Sequence, residues 1–115
     1  MEEISLNDSI PFADFQKIKL RVGEIISAEE LPHSEKLLKL QVKIGEEKRQ
    51  ILAGIKKAYT REQLVGKKVV VVFNLEAKKL AGELSEGMIL AASNEKEGPI
   101  LLTPESTIES GAEVR

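Results

Sequence analysis

Between Val69 and Met88 the chain reads VVVVFNLEAKKLAGELSEGM, and this stretch holds the side chains best suited to touching a ligand. A β-branched run ends at Asn74, Lys78 and Lys79 follow, and Ser85-Glu86-Gly87-Met88 opens the next apolar run, Ile89-Leu90-Ala91-Ala92. Asn offers a donor and an acceptor, Ser a hydroxyl, and Met a flexible apolar surface for a base or ribose face. The lysines add a charge that attracts phosphate. If the two apolar runs are neighbouring strands of a barrel, their ends meet at its rim and these five side chains converge. The same residue types also fit an Asn that caps a turn, a Ser that opens a strand and a Met in a core, so spacing alone leaves both readings open.

Catalytic chemistries find less support. With no cysteine there are no disulfides, thiolate metal sites or cysteine nucleophiles. The single histidine, His33 in Leu31-Pro32-His33-Ser34, has no partner histidine and reads as a polar loop residue rather than a metal ligand. No phosphate-binding glycine loop or nucleophile elbow occurs. The chain reads as non-catalytic, with no cofactor and no metal.

The net charge of −2 conceals a segregation. Residues 1–35 hold three basic and eight acidic residues, 36–82 hold twelve and four, and 83–115 hold two and seven. A basic centre between acidic flanks gives a local positive field, and a phosphate chain responds to local field. Three Phe, one Tyr and no Trp make a poor stacking platform for single strands. Folded RNA, read through shape, phosphate and ribose, fits this composition better.

The elements that must position these groups follow from periodicity. At 115 residues the chain fits one domain, divided into a mobile arm (1–11), a barrel (12–98) and a C-terminal extension (99–115). Ile18 to Ile26 is a strand whose apolar phase slips across Gly23-Glu24, the mark of a bulge or a barrel corner. Leu38, Leu40, Val42 and Ile44 alternate with Lys39, Gln41 and Lys43, giving a strand with one buried and one basic or amide-bearing face. Gly45-Glu46-Glu47 turns it back through Arg49 to Ile55. Thr60 and Gln63 fit a capping box opening a short helix from Arg61 to about Val65. Val69 to Phe73 reads as a central strand with Met88 to Ala92 as its neighbour, and Ile100 to Leu102 as a short further strand. The pattern predicts an all-β fold, best fitted by a five-stranded OB-type closed barrel with one short helix before strand 4 and a C-terminal extension, with an SH3-like barrel or a sandwich as the alternatives. The acidic Met1-Glu2-Glu3 start and the shortness of the longest apolar stretch, Val69 to Phe73, predict a cytoplasmic location without membrane contact.

Ordered motifs then carry a resemblance. Asp14-Phe15 through Leu20-Arg21-Val22-Gly23, His33-Ser34-Glu35-Lys36-Leu37, Lys48-Arg49-Gln50-Ile51 with Ala53-Gly54-Ile55, and Asn74-Leu75 with Ser85-Glu86-Gly87-Met88 closely resemble the tRNA-binding domain family over about residues 12–110. That family includes the C-terminal domain of methionyl-tRNA synthetases, free-standing structure-specific tRNA-binding proteins and the tRNA-binding end of a multisynthetase-complex cytokine precursor. The resemblance implies an OB fold that binds the outside corner of tRNA and raises a synthetase's hold on its substrate. The methionyl-tRNA synthetase branch looks nearest. It implies a homodimer formed outside the barrel, here through Ile100 to Leu102 and the tail, with the synthetase's catalytic chain as a further partner. Carried over residue by residue, the RNA-binding positions fall on Lys36, Lys48, Arg49, Asn74, Lys78, Lys79, Ser85 and Met88. Arg21 and Gly23 match the motif as structural residues. An export-related chaperone branch with overlapping motifs keeps unfolded polypeptide open as an alternative ligand.

Overall fold

The alternation of Leu38, Leu40, Val42 and Ile44 sets one face of a strand against the core, and in the computed structural model, which describes residues 8–115, all four are buried. This strand, β2 (Leu38–Ile44), forms a hairpin with β3 (Glu47–Ala53), paired from Leu38↔Ala53 to Ile44↔Glu47. Gly45 turns it with φ 64, a left-handed conformation that glycine adopts without a Cβ clash. Seven of the eleven residues expected as a mobile arm lie outside the described residues. The segment expected to form the barrel opens on a single helical turn, α1 (Phe12–Phe15).

The organising strand is β1 (Leu20–Glu30), which pairs antiparallel with three others. Its first residues lie between β4 (Lys68–Val72) and the C-terminal β10 (Glu113–Val114), and its later ones beside β2. The sheet runs β3-β2-β1-β4-β7, where β7 is Met88–Ile89, with β10 added on β1. The expected slip at Gly23 lies elsewhere: Gly23 pairs regularly with Val69, and the register shifts between Ile25 and Ser27. The glycine serves a different need. A Cβ there would sit 2.6 Å from Val42 Cγ1 and 2.9 Å from Val71 Cγ2, so its bare backbone admits the valines of both neighbouring strands where the sheet curls.

Val22 is buried, and the tail returns alongside it: Gly111 N–H donates to the Val22 carbonyl at 2.6 Å and Val22 N–H donates to Ala112 O at 2.9 Å. Helix α2 (Arg61–Leu64) is fixed at its start as expected. Gln63 N–H donates to Thr60 Oγ1 at 3.2 Å, and Thr60 N–H donates to Gln63 Oε1 at 2.8 Å. The helix presses Leu64 fully into a core made with Ile25, Leu40, Val42, Ile51, Val69 and Val71. Among the described residues no helix is long and apolar enough to cross a membrane.

The all-β class holds, while the strand count exceeds five. The polar stretch after Asn74 is itself a hairpin of β5 (Lys78–Leu80) and β6 (Glu83–Ser85). Ala81 and Gly82, at φ 49 and 82, close it as a two-residue turn of the primed kind that suits twisted strands. After β7, β8 (Ala91–Ala92) leaves the main sheet to pair with β9 (Ile100–Leu101). The main sheet is thus a curled half-barrel whose end strands β3 and β7 make no ladder among the described residues. Ser85 and Glu86 bridge that gap, since Leu52 N–H donates to Ser85 Oγ at 3.0 Å and Glu86 N–H to Gln50 O at 2.8 Å.

Overpacking at the curl gives a direct test. Gly23→Ala should lower unfolding free energy by about 1–3 kcal/mol in urea titration, and Val42→Ala should cost less in that background than in the wild type.

Candidate nucleic-acid interface

Pairing of Val72 with Met88 brings the ends of β4 and β7 side by side, so Asn74 and Met88 share one rim. Ser85 lies three residues before Met88 and pairs with Lys78, which roots the β5–β6 hairpin at the same place. The structure therefore gathers Arg49, Asn74, Lys78, Ser85 and Met88, with Lys79 one residue further out on the hairpin. It does not gather Lys36. That residue follows the loop after β1, beyond the Leu38↔Ala53 end of the β2–β3 hairpin, whereas Lys48 lies opposite Lys43 near the other end. Five residues of strand, about 16 Å, separate Leu38 from Lys43.

The gathered residues divide by what their polar atoms already do. Ser85, 4% exposed, accepts from Leu52 N–H and donates its hydroxyl to Gly87 O at 3.1 Å. It shapes the loop from inside. Asn74 is exposed, but its amide clamps the chain entering β1: Lys19 N–H donates to Oδ1 at 2.8 Å, and Nδ2 donates to Lys17 O at 2.7 Å. Arg49 turns inward, its guanidinium carbon 3.9 Å from the Phe73 ring centroid and its Nε 2.9 Å from Glu47 Oε2. Met88, 46% exposed, presents an apolar surface outward.

The lysines behave differently. Among the described residues Lys36, Lys48, Lys78 and Lys79 are exposed and in no ion pair. Lys43 belongs with them, and carry-over by motif missed it. The signal was present in the alternation of Lys39, Gln41 and Lys43 on the outer face of β2. Register then sets Lys48, Lys43, Glu24 and Lys68 in one row across β3, β2, β1 and β4. Like charges directly opposite one another destabilise a sheet, so the Lys43–Lys48 pair gains from a bound anion. Lys39 on the same face is neutralised by Glu29 at 3.7 Å and Glu83 at 3.6 Å. Among the described residues no group of three His, Asp or Glu side chains comes together as a metal site.

Residues 20–113 match the family described as "Putative tRNA binding domain". The methionine–tRNA ligase of Methanocaldococcus jannaschii is 53% identical over 108 residues, which is 94% of this chain and 17% of that protein. The chain thus spans about a sixth of the ligase it matches. The crystal structure of a MetRS-related protein from Pyrococcus horikoshii superposes with a TM-score of 0.88 at 34% identity, covering 94% of this chain and 99% of that one. That of the chaperone CsaA from Bacillus anthracis superposes at 0.84 and 32%, covering 93% and 99%.

Ser85 and Met88 should separate in stability measurements. Ser85→Ala strands the buried Leu52 N–H and should cost about 1–3 kcal/mol. Met88→Ala, on the surface, should cost less than about 1 kcal/mol. Urea unfolding of the two variants reads both.

Proposed function

The chain belongs to the tRNA-binding domain family, and from that premise we propose that it is a non-catalytic module that holds folded tRNA at its outer corner and strengthens tRNA binding by methionyl-tRNA synthetase. In this reading it works in the cytoplasm as an appended domain or separate beta subunit, and the synthetase's catalytic chain is its partner. The observation that carries the reading is the family match over residues 20–113 on a surface where Lys36, Lys43, Lys48, Lys78 and Lys79 are in no ion pair among the described residues. Lys36, Lys43, Lys48, Lys78 and Lys79 supply a salt-sensitive attraction to phosphate, and Asn74 and Met88 meet exposed sugar or base surface. Ser85 acts beneath them by holding the rim's shape. OB-type closure is part of the same reading, with β3 joined to β7 through Ser85 and Glu86.

At the rim, Phe73 lies against arginine instead of offering a free face for a base, which supports a preference for folded RNA over single strands. A second reading, a chaperone that binds unfolded polypeptide, is favoured by the likeness to CsaA. The basic outer face favours RNA between the two.

The homodimer is proposed through the extension, as the sequence suggested, and through an apolar face beside the tail. The extension pairs within the chain, β9 on β8 and β10 on β1, yet Ile100, Leu102 and Ile108 stay exposed. Phe12 is 71% exposed, and Phe15 and Ile18 are exposed beside it. They line a cleft of about 290 Å³ with Leu20 and Val114, and an apolar face of this kind suits a second copy.

With four phosphates neutralised, log affinity for tRNA should fall with log salt at a slope of about three, and a flat response in filter binding would remove the electrostatic part. Total tRNA should outcompete single-stranded RNA, DNA and unfolded polypeptide at one salt concentration; polypeptide winning would favour the chaperone reading. Light scattering should give a dimer at micromolar concentration that Phe12→Ser with Phe15→Ser converts to monomer, and a wild-type monomer would sink the dimer.

A further inference from the structure

Arg49 counts among the phosphate contacts by motif, yet its surroundings assign it other work. It lies opposite Val42, which is fully buried, so it projects from the core side of β3. There its guanidinium stacks on Phe73 at 3.9 Å and donates to three places. Nε reaches Glu47 on its own strand, while Nη1 donates to Phe73 O and, at 3.4 Å, to Glu86 O. Phe73 immediately precedes Asn74, and Glu86 lies two residues before Met88. One rigid planar group thus ties the segments that carry both rim residues, Nη1 serving both carbonyls while its face lies on the ring and Nε holds Glu47, a combination a lysine ammonium cannot reproduce.

The same ring has further anchors. Arg21 Cζ lies 5.6 Å from the Phe73 centroid, and Phe73 N–H donates to Lys19 O at 2.8 Å. Asn74 clamps Lys17 and Lys19 next to it. For Arg49 to reach a phosphate it would have to leave the ring, two carbonyls and a carboxylate that already balances its charge. The exposed lysines leave no such partners, so counterion release falls to them.

We propose that Arg49 is a positioning residue for the RNA-binding rim and not a phosphate ligand: it locks the Phe73–Asn74 end of β4 to the Glu86–Met88 segment so that Asn74 and Met88 face tRNA in one arrangement. The proposal rests on the tRNA-binding reading above. The test compares Arg49→Lys and Arg49→Gln with Lys48→Gln, by tRNA affinity across a salt series and by hydrogen exchange of the free protein at residues 74–76 and 86–89.

Both Arg49 variants should bind about tenfold more weakly, the equivalent of one lost hydrogen-bonded contact, with an unchanged salt slope and faster exchange in the two segments. Lys48→Gln should instead lower the slope by about one with exchange unchanged. Arg49→Lys with wild-type affinity while Arg49→Gln loses about one unit of slope would make Arg49 a phosphate ligand and overturn the proposal. Unchanged affinity in Arg49→Gln would overturn it as well. Should the Arg49 variants fail to fold, Phe73→Leu keeps the charge and removes the stack. It should weaken binding at constant slope, and wild-type affinity there is the overturning result. The exchange arm needs no RNA: a wild-type protein that ignores tRNA sinks the functional reading, whereas unaltered exchange in folded Arg49 variants sinks this one.

Discussion

How tightly β1 can curl against its neighbours is set at Gly23, where the side chains of Val42 and Val71 enter the space a Cβ would occupy. Close approach there lets a sheet of short strands fold its inner faces onto a single core. That core is built from aliphatic residues with few rings, and packing at interior density leaves no room for even one added methyl group without displacement. β1 changes partners at Glu24, which pairs with both Lys68 of β4 and Lys43 of β2, and the extra residue at Ile26 then shifts its register along β2. Every later element takes its place from this division of one strand among three partners.

The rim inherits its form from the gap the curl leaves. The end strands β3 and β7 form no ladder with each other among the described residues, so the backbone groups along β3 need other partners. Ser85 and Glu86 supply them. Buried backbone donors rarely stay unpaired, and this requirement draws the root of the β5–β6 hairpin against β3 and carries Lys78 and Lys79 with it. Residues that look like ligand contacts in the sequence are in part the fasteners that make a contact surface exist. Asn74, Ser85 and Arg49 each spend polar atoms on backbone groups of other segments, whereas Lys36, Lys43, Lys48, Lys78 and Lys79 spend none on ion pairs among the described residues.

This division suits a ligand that is large, rigid and uniformly charged. Free lysines on flexible stems can follow phosphates whose spacing is not read base by base, while a rim held from within keeps its outline during the encounter. Lys43 and Lys48 on the β2–β3 hairpin and Lys78 and Lys79 on the β5–β6 hairpin lie on different elements, which spreads the field over a surface broad enough for a folded nucleic acid.

Much of this was legible in the residues themselves. Strict period-2 alternation gave β2 and its buried face, Thr60 and Gln63 gave the start of α2, the valine run gave a central strand, and the lysine census gave the basic centre. These signals are local, decided by side-chain direction or by bonds spanning three residues. The bulge at Ile26, the β5–β6 hairpin closed by Ala81-Gly82, the return of the tail alongside Val22 and the inward turn of Arg49 were not legible in the same way. A glycine within a strand reads alike whether it bends the chain or admits a neighbour's valine, and only the curl distinguishes them. Likewise, an arginine beside a lysine is one more positive charge until the fold sets an aromatic ring and two carbonyls within its reach. The sequence by itself determined the strand periodicities, the capped helix and the charge. Tertiary structure decided which polar groups were consumed in holding the sheet together and which stayed free for a partner, because that depends on contacts between residues far apart in the chain.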